Sequence, residues 1–346
     1  MNEMDTYELT EFNLKDAIIL DEKCGLIKIT RSDDGRLILV CDGSYDLIPQ
    51  EGPSERPIAS VDSALGFTLD IGIRKEMKLT SGSGYYFGIK FIDKPQSVRE
   101  VSQADYDGGL LEKIVSTIDS KFHSTYPPSQ RRALRLNHLL ETYNHARLLY
   151  PHFYSDSYLK LISILDSLNL KGGASNFGLW VCEISGTFNR EVYTKICDMG
   201  ALRGRIDLAE SIISRIPNGD TKRRLRNLSR YKRFVYVCFY AAYQYRSKFV
   251  HQGFPIPRTV IERSSDEDNG LAYLNPTVAQ SHMQIFRPSG YQPGDDLDIH
   301  SAIRLEKKQS YNDFEEYFQL LPSWHWLKSM VRLSLVREIN RVAALK

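Results

Sequence analysis

The sequence predicts an α+β chain, with an antiparallel β-rich N-terminal domain over residues 1–104 followed by a mainly helical domain over residues 105–346. Three observations carry that expectation. Short apolar or alternating runs, rich in branched and aromatic residues, crowd the first hundred positions, as strands require. After Lys94-Pro95-Gln96-Ser97 the apolar residues change to helical spacing, the mark of amphipathic helices. At 346 residues the chain has room for two domains of about 150 residues each.

The N-terminal strands are expected at LILV (37–40), GFTLDIGI (66–73) and YYFGIKFI (85–92), separated by Asp33-Asp34-Gly35, Asp42-Gly43 and Ser81-Gly82-Ser83-Gly84. Clusters of this kind make turns. An antiparallel sandwich or meander is expected, and parallel βαβ units are not, because the gaps lack convincing helical patterns. In the second domain Leu110, Leu111, Ile114, Val115, Ile118 and Phe122 mark a first helix. A second is predicted from Ser129 to Leu149, stopped by Pro151. A third starts near Ser155-Asp156-Ser157, good N-cap residues, and continues through Leu159, Ile162, Leu165 and Leu168 to a stop before Gly172-Gly173. Helical patterns resume over 176–215 and 221–251, and a last helix runs from Trp324 to Ala344. Between about 252 and 311, Pro255, Pro257, Pro276, Pro288 and Pro293 interrupt the pattern, so an irregular insertion is expected there.

Composition narrows the function classes. Hydrophobic residues at 42% and charged residues at 25% are ordinary for a globular chain. The longest apolar run, Phe234 to Tyr243, has ten residues, and about 20 are needed to span a bilayer. No membrane association is expected. From the acidic, polar start MNEMDTYELT no secretory signal is expected. The five cysteines, Cys24, Cys41, Cys182, Cys197 and Cys238, are widely spaced and odd in number, so neither a disulfide framework nor a zinc ligand set is expected. A reducing cytoplasm is the simplest compartment. Charge is uneven: residues 1–60 carry a balance of −7, the remaining 286 carry +9, and Thr221 to His251 holds nine basic residues with no acidic one. Such a stripe is either the footprint of a polyanion partner or a solvated, ion-paired face.

Catalytic motifs are sparse. Gly82, Gly84 and Gly88 do not match a dinucleotide or phosphate loop and read as a hairpin turn. His138 and His145 lie seven apart on one helix without a carboxylate at ligand spacing, so no metal site is expected. No nucleophile elbow is present, which leaves covalent catalysis without support. One segment stands out, Tyr243-Gln244-Tyr245-Arg246-Ser247-Lys248-Phe249-Val250-His251-Gln252-Gly253. It places a permanent cation five residues before a group that exchanges protons near neutral pH. Five helical steps turn about 140°, so the two positions do not stack on one face. Ser247 lies one turn from His251 and within reach of its ring. The alternative is structural: Arg246 as an interface ion pair and His251 as a C-terminal cap.

Arg246 to Gly253 resembles the R-x4-6-H signature of HEPN domains, in the Apea-like group, whose signature helix typically reads Tyr-x-x-Arg-Ser-x-x-Val-His-Gly. Here Gln252 intervenes between His251 and Gly253. The upstream run Tyr158 to Leu168 is similar to that group's Leu-x-x-Ala-Leu-Glu-x-Leu helix, with Ile164 at the Ala position and Asp166 at the Glu position. The resemblance covers residues 105–346. The N-terminal part resembles, by architecture, the domain preceding HEPN in anti-phage abortive-infection proteins.

The resemblance implies an α-helical HEPN-type bundle that pairs as a homodimer and acts as an endoribonuclease without metal or other cofactor. Arg246, Ser247 and His251 would be catalytic and Asp166 accessory. RNA, with tRNA among the candidates, would be the partner, held by Lys222, Arg223, Arg224, Arg226, Arg230 and Lys248. A phage-derived or small-molecule trigger would act at the N-terminal domain. RNA brings its own 2′-OH nucleophile, so Arg246 would grip the phosphate and His251 transfer protons. Two alternatives stay open: a non-catalytic HEPN assembly module, and a ligand sensor acting through the N-terminal domain. Tyr243 and Tyr245 are expected to pack in the core, with base stacking as the alternative.

Overall fold

The computed structural model describes residues 4–10, 13–14, 18–19, 27–31, 37–42, 61–69, 72–79, 85–92, 100–101, 108–122, 124–150, 153–184, 186–198, 200–216, 219–252, 317 and 320–345. The chain forms two compact units, residues 1–164 with 335–346, and residues 165–334. The expected junction at 104–105, the turns at 33–35 and 81–84, and the insertion after Gln252 lie outside the described residues.

The expected α+β class, with an antiparallel β-rich N-terminal domain, is corrected. The residues described together with their side chains are 88% helical, and no strand or sheet lies among them. The extended N-terminal segments are defined by backbone pairing: β1 (Met4–Thr10), β2 (Asn13–Leu14), β3 (Ile18–Ile19), β4 (Ile27–Arg31), β5 (Leu37–Asp42), β6 (Gly72–Leu79), β7 (Tyr85–Ile92) and β8 (Glu100–Val101). Their order is β3-β4-β5-β1-β7-β6, with β2 and β8 paired separately. That pairing is mixed, since β1 runs parallel to β7 with Glu8 opposite Gly88. A further correction concerns residues 66–73. Val61–Leu69 is a helix, α1, and the extended backbone starts only at Gly72. Ala64 and Phe67 are fully buried, the Phe67 ring meets the edge of Tyr143 at 5.2 Å, and the Thr68 hydroxyl donates to the Ala64 carbonyl at 2.9 Å. A short apolar run reads alike as strand or buried helix, because its periodicity is hidden when both faces are covered.

The rest of the first unit is helical. It contains α2 (Gly108–Phe122), α3 (Pro127–Leu149) and most of α4 (Tyr154–Leu168). Pro127 and Pro128 open α3, where the missing N–H costs no hydrogen bond and φ is already helical. Leu111, Ile114, Val115 and Ile118 of α2, and Ala133, Leu136, Leu140 and Tyr143 of α3, are buried at helical spacing. The Ser157 hydroxyl donates to the Ala146 carbonyl at 2.6 Å, fixing the start of α4 on the end of α3.

The second unit takes the end of α4 and then α5 (Ala174–Ile184), α6 (Gly186–Asp198), α7 (Gly200–Arg215), α8 (Gly219–Arg226), α9 (Arg230–Gln252) and the start of α10 (Trp324–Ala343). Gly172 and Gly173, with φ of 61° and 78°, turn the chain after α4 in the left-handed region that L side chains avoid. The centre is α9, which packs against α5, α6 and α7. Phe234, Val235, Tyr236, Phe239, Ala242 and Tyr245 are buried along it. Trp326 lies stacked on Phe234 at 6.5 Å and edge-on to Phe239 at 5.4 Å. Its indole N–H donates to Asn189 Oδ1 at 3.3 Å, and Asn189 in turn donates to the Val181 carbonyl at 3.4 Å. This chain pairs the buried polar groups that would otherwise be costly to desolvate.

Candidate functional site

The candidate site lies in the C-terminal half of α9. Tyr236, Tyr240 and Tyr243 follow i, i+4, i+7 spacing and so share a face. Tyr236 is buried, whereas Tyr240 and Tyr243 are half-buried. Arg246 is next on that face. Its Nη1 lies 3.0 Å from Asp166 Oδ2, with the two side chains 34% and 20% exposed. Its guanidinium carbon sits 5.8 Å from the centre of the Tyr243 ring, within cation–π range. The Tyr243 ring is braced by Phe177 of α5 at 5.3 Å. The guanidinium is thus held between a carboxylate and an aromatic face, with about a third of the side chain open to solvent.

The other expected site residues divide clearly. Ser247 is half-buried. The backbones of Lys248 and His251 are helical, and their side chains lie outside the described residues. Val250, four positions after Arg246, is 63% exposed. Tyr245 is 1% exposed and belongs to the core; Tyr243 is half-buried, packing on the buried Phe177 ring while facing Arg246.

Within the basic stripe, Arg230 Nη2 contacts Asp207 Oδ1 at 2.9 Å. Arg233 Nε donates to both carboxylate oxygens of Glu210, at 3.0 and 3.1 Å, and its Nη1 donates to the Leu228 carbonyl at 2.8 Å. Lys222 Nζ donates to the Ser214 carbonyl at 2.6 Å. Arg223, Arg224 and Arg226 are exposed. Sequence reasoning missed Asp207 and Glu210. The signal was present: the two acids are three apart on α7 as the two arginines are on α9, so packing of the two helices brings both pairs together.

Burial pushes the thiols of Cys182 and Cys238 well above the usual range, so neither ionises near neutral pH and neither suits a nucleophile. Cys182 Sγ donates to the Lys232 carbonyl at 3.1 Å, as a packed core thiol does. Among the described residues no group of three or more His, Cys, Asp or Glu is gathered to hold a metal ion. His138, 3.9 Å from Glu141 Oε2, lies exposed on α3. No helix of the described residues is long and apolar enough to cross a membrane. Comparison of the chain with protein-family models, with curated proteins and with solved structures finds no match.

Proposed function

We propose that the chain is an endoribonuclease of the HEPN type, working in the cytoplasm as a homodimeric anti-phage defence or toxin effector. A trigger, phage-derived or a small molecule, acts through residues 1–104. The observation that carries the reading is the placement of Arg246 in the last turns of α9, about a third exposed and oriented by Asp166 at 3.0 Å and by the Tyr243 ring. A guanidinium fixed in this way offers its remaining N–H groups to a phosphodiester at little entropic cost. Charge gathering on the phosphate during attack by the 2′-OH is then stabilised by a donor already in position. His251 takes the 2′-OH proton or returns one to the 5′-leaving oxygen, a role worth about 10²–10⁴ in rate. Ser247, one helical turn before it, orients the ring. The products are a 2′,3′-cyclic phosphate and a 5′-hydroxyl, and no cofactor is required.

A non-catalytic assembly module is the second reading, and the same ion pair favours it, because a carboxylate on Arg246 competes with a phosphate. Purified protein incubated with RNA in EDTA separates the two. The nuclease reading expects cleavage that disappears in Arg246→Ala and in His251→Ala. The module reading expects no cleavage by any form and loss of self-association in the same variants.

A further inference from the structure

α8 is a short helix whose one apolar side chain, Leu225, is 0% exposed. Thr221, one turn earlier, is buried with it. At about 100° per residue, Arg223 projects opposite this buried edge, and Arg224 and Arg226 flank it, so three cations spread over about 160° of the helix surface. All three are exposed, and among the described residues none has an ion-pair or hydrogen-bond partner. Their neighbours in sequence differ. Arg230 and Arg233 are matched by Asp207 and Glu210, and Lys222 is tied to the end of α7. The basic stripe therefore contains a charged part that the fold neutralises and a part that it leaves open.

We propose that Arg223, Arg224 and Arg226 form a phosphate-binding exosite for the backbone of the RNA substrate, while Arg230, already paired with Asp207, stands outside it; this rests on the RNA reading above. Guanidinium groups bind phosphate oxygens through paired N–H donors, and a fan of them suits a strand that curves around the helix. A lipid surface fits less well, since an interfacial helix needs an exposed apolar face and α8 has none.

The test is fluorescence anisotropy on the intact His251→Ala chain with a mixed-sequence single-stranded RNA, across a salt series. Neutralising three phosphates of a single strand contributes about 2 to the slope of log affinity against log salt. Replacing Arg223, Arg224 and Arg226 together by Gln is expected to lower the slope by about that amount. Replacing all three by Lys is expected to retain it, and so is Arg230→Gln. A wild-type slope in the triple Gln variant overturns the proposal. So does an Arg230→Gln loss equal to that of Arg224→Gln, or binding of wild type to phosphatidylserine vesicles without binding to RNA. Should the slopes come out as expected while wild type cuts no RNA, the exosite stands and the nuclease reading falls. Cleavage that depends on Arg246 and His251, with an unchanged slope in the triple Gln variant, removes the exosite and leaves the nuclease reading in place.

Discussion

Replacing Asp166 and Arg246 singly and together isolates the contact on which the candidate site is built. The pair is 3.0 Å apart and about a third to a fifth exposed, so it sits between surface and interior. Two unit charges about 4 Å apart attract by about 1 kcal/mol in water and about 4 kcal/mol at an effective dielectric of about 20. Ordering the long arginine and partly desolvating both groups offsets much of the larger value. A coupling of about 1–2 kcal/mol remains as the expectation by these principles. Trp180, Trp324 and Trp326 all lie in the second unit, so urea unfolding followed by tryptophan fluorescence reports on the unit that holds the pair. Asp166→Asn and Arg246→Gln should each lower its stability. The double variant should lose less than the sum of the two by the coupling energy. Additivity within about 0.5 kcal/mol, the scatter of independent sites, would refute the contact as the organiser of the site.

Two further outcomes follow from the core. A Cβ at Gly178 would lie 2.8 Å from Tyr236 Cδ2 and 2.9 Å from its carbonyl oxygen, so Gly178→Ala should cost about 1–3 kcal/mol by overpacking in the same urea assay; an unchanged midpoint would show that α5 and α9 separate freely. Burial raises the Tyr236 hydroxyl from 10.0 to about 12, so the folded state keeps its proton where the unfolded state loses it. That stabilisation is complete below pH 10 and fades as pH rises toward 12, by about 2–3 kcal/mol. The measurement is urea unfolding at stepped alkaline pH. Tyr236→Phe should flatten part of the decline, and an identical decline in that variant would count against burial as its cause.

The sequence was most informative where local chemistry and packing agree. The helix containing Leu111 to Ile118 and the one ending at Leu149 lie where apolar spacing and Pro151 put them, because one face of each is core. Gly172-Gly173 ended the third helix legibly, since positive φ is a property of the residue itself. Residues 66–69 were misread because Phe67 and its neighbours are buried on all sides, which removes the alternation that separates helix from strand. The fold class failed for a related reason: apolar, branched and aromatic runs report burial and propensity, and over Val61–Leu69 that burial belongs to a helix. At the site, Arg246 and Asp166 were each visible by residue type, and the structure brings them together. The different fates of Tyr243 and Tyr245 follow from helix geometry, since residues two apart point about 200° from each other, and the structure buries Tyr245 and leaves Tyr243 half-buried against Phe177. The division of the arginines was not visible, because it depends on acids contributed by α7.

Joint action of Arg246 and His251 on a phosphodiester is the central claim. Mapping of cellular RNA ends after induced expression tests it directly. Wild type should generate new 2′,3′-cyclic phosphate ends at recurrent positions, and these should be absent with His251→Ala and with Arg246→Ala. The same ends persisting in either variant, or no new ends with wild type, would contradict it.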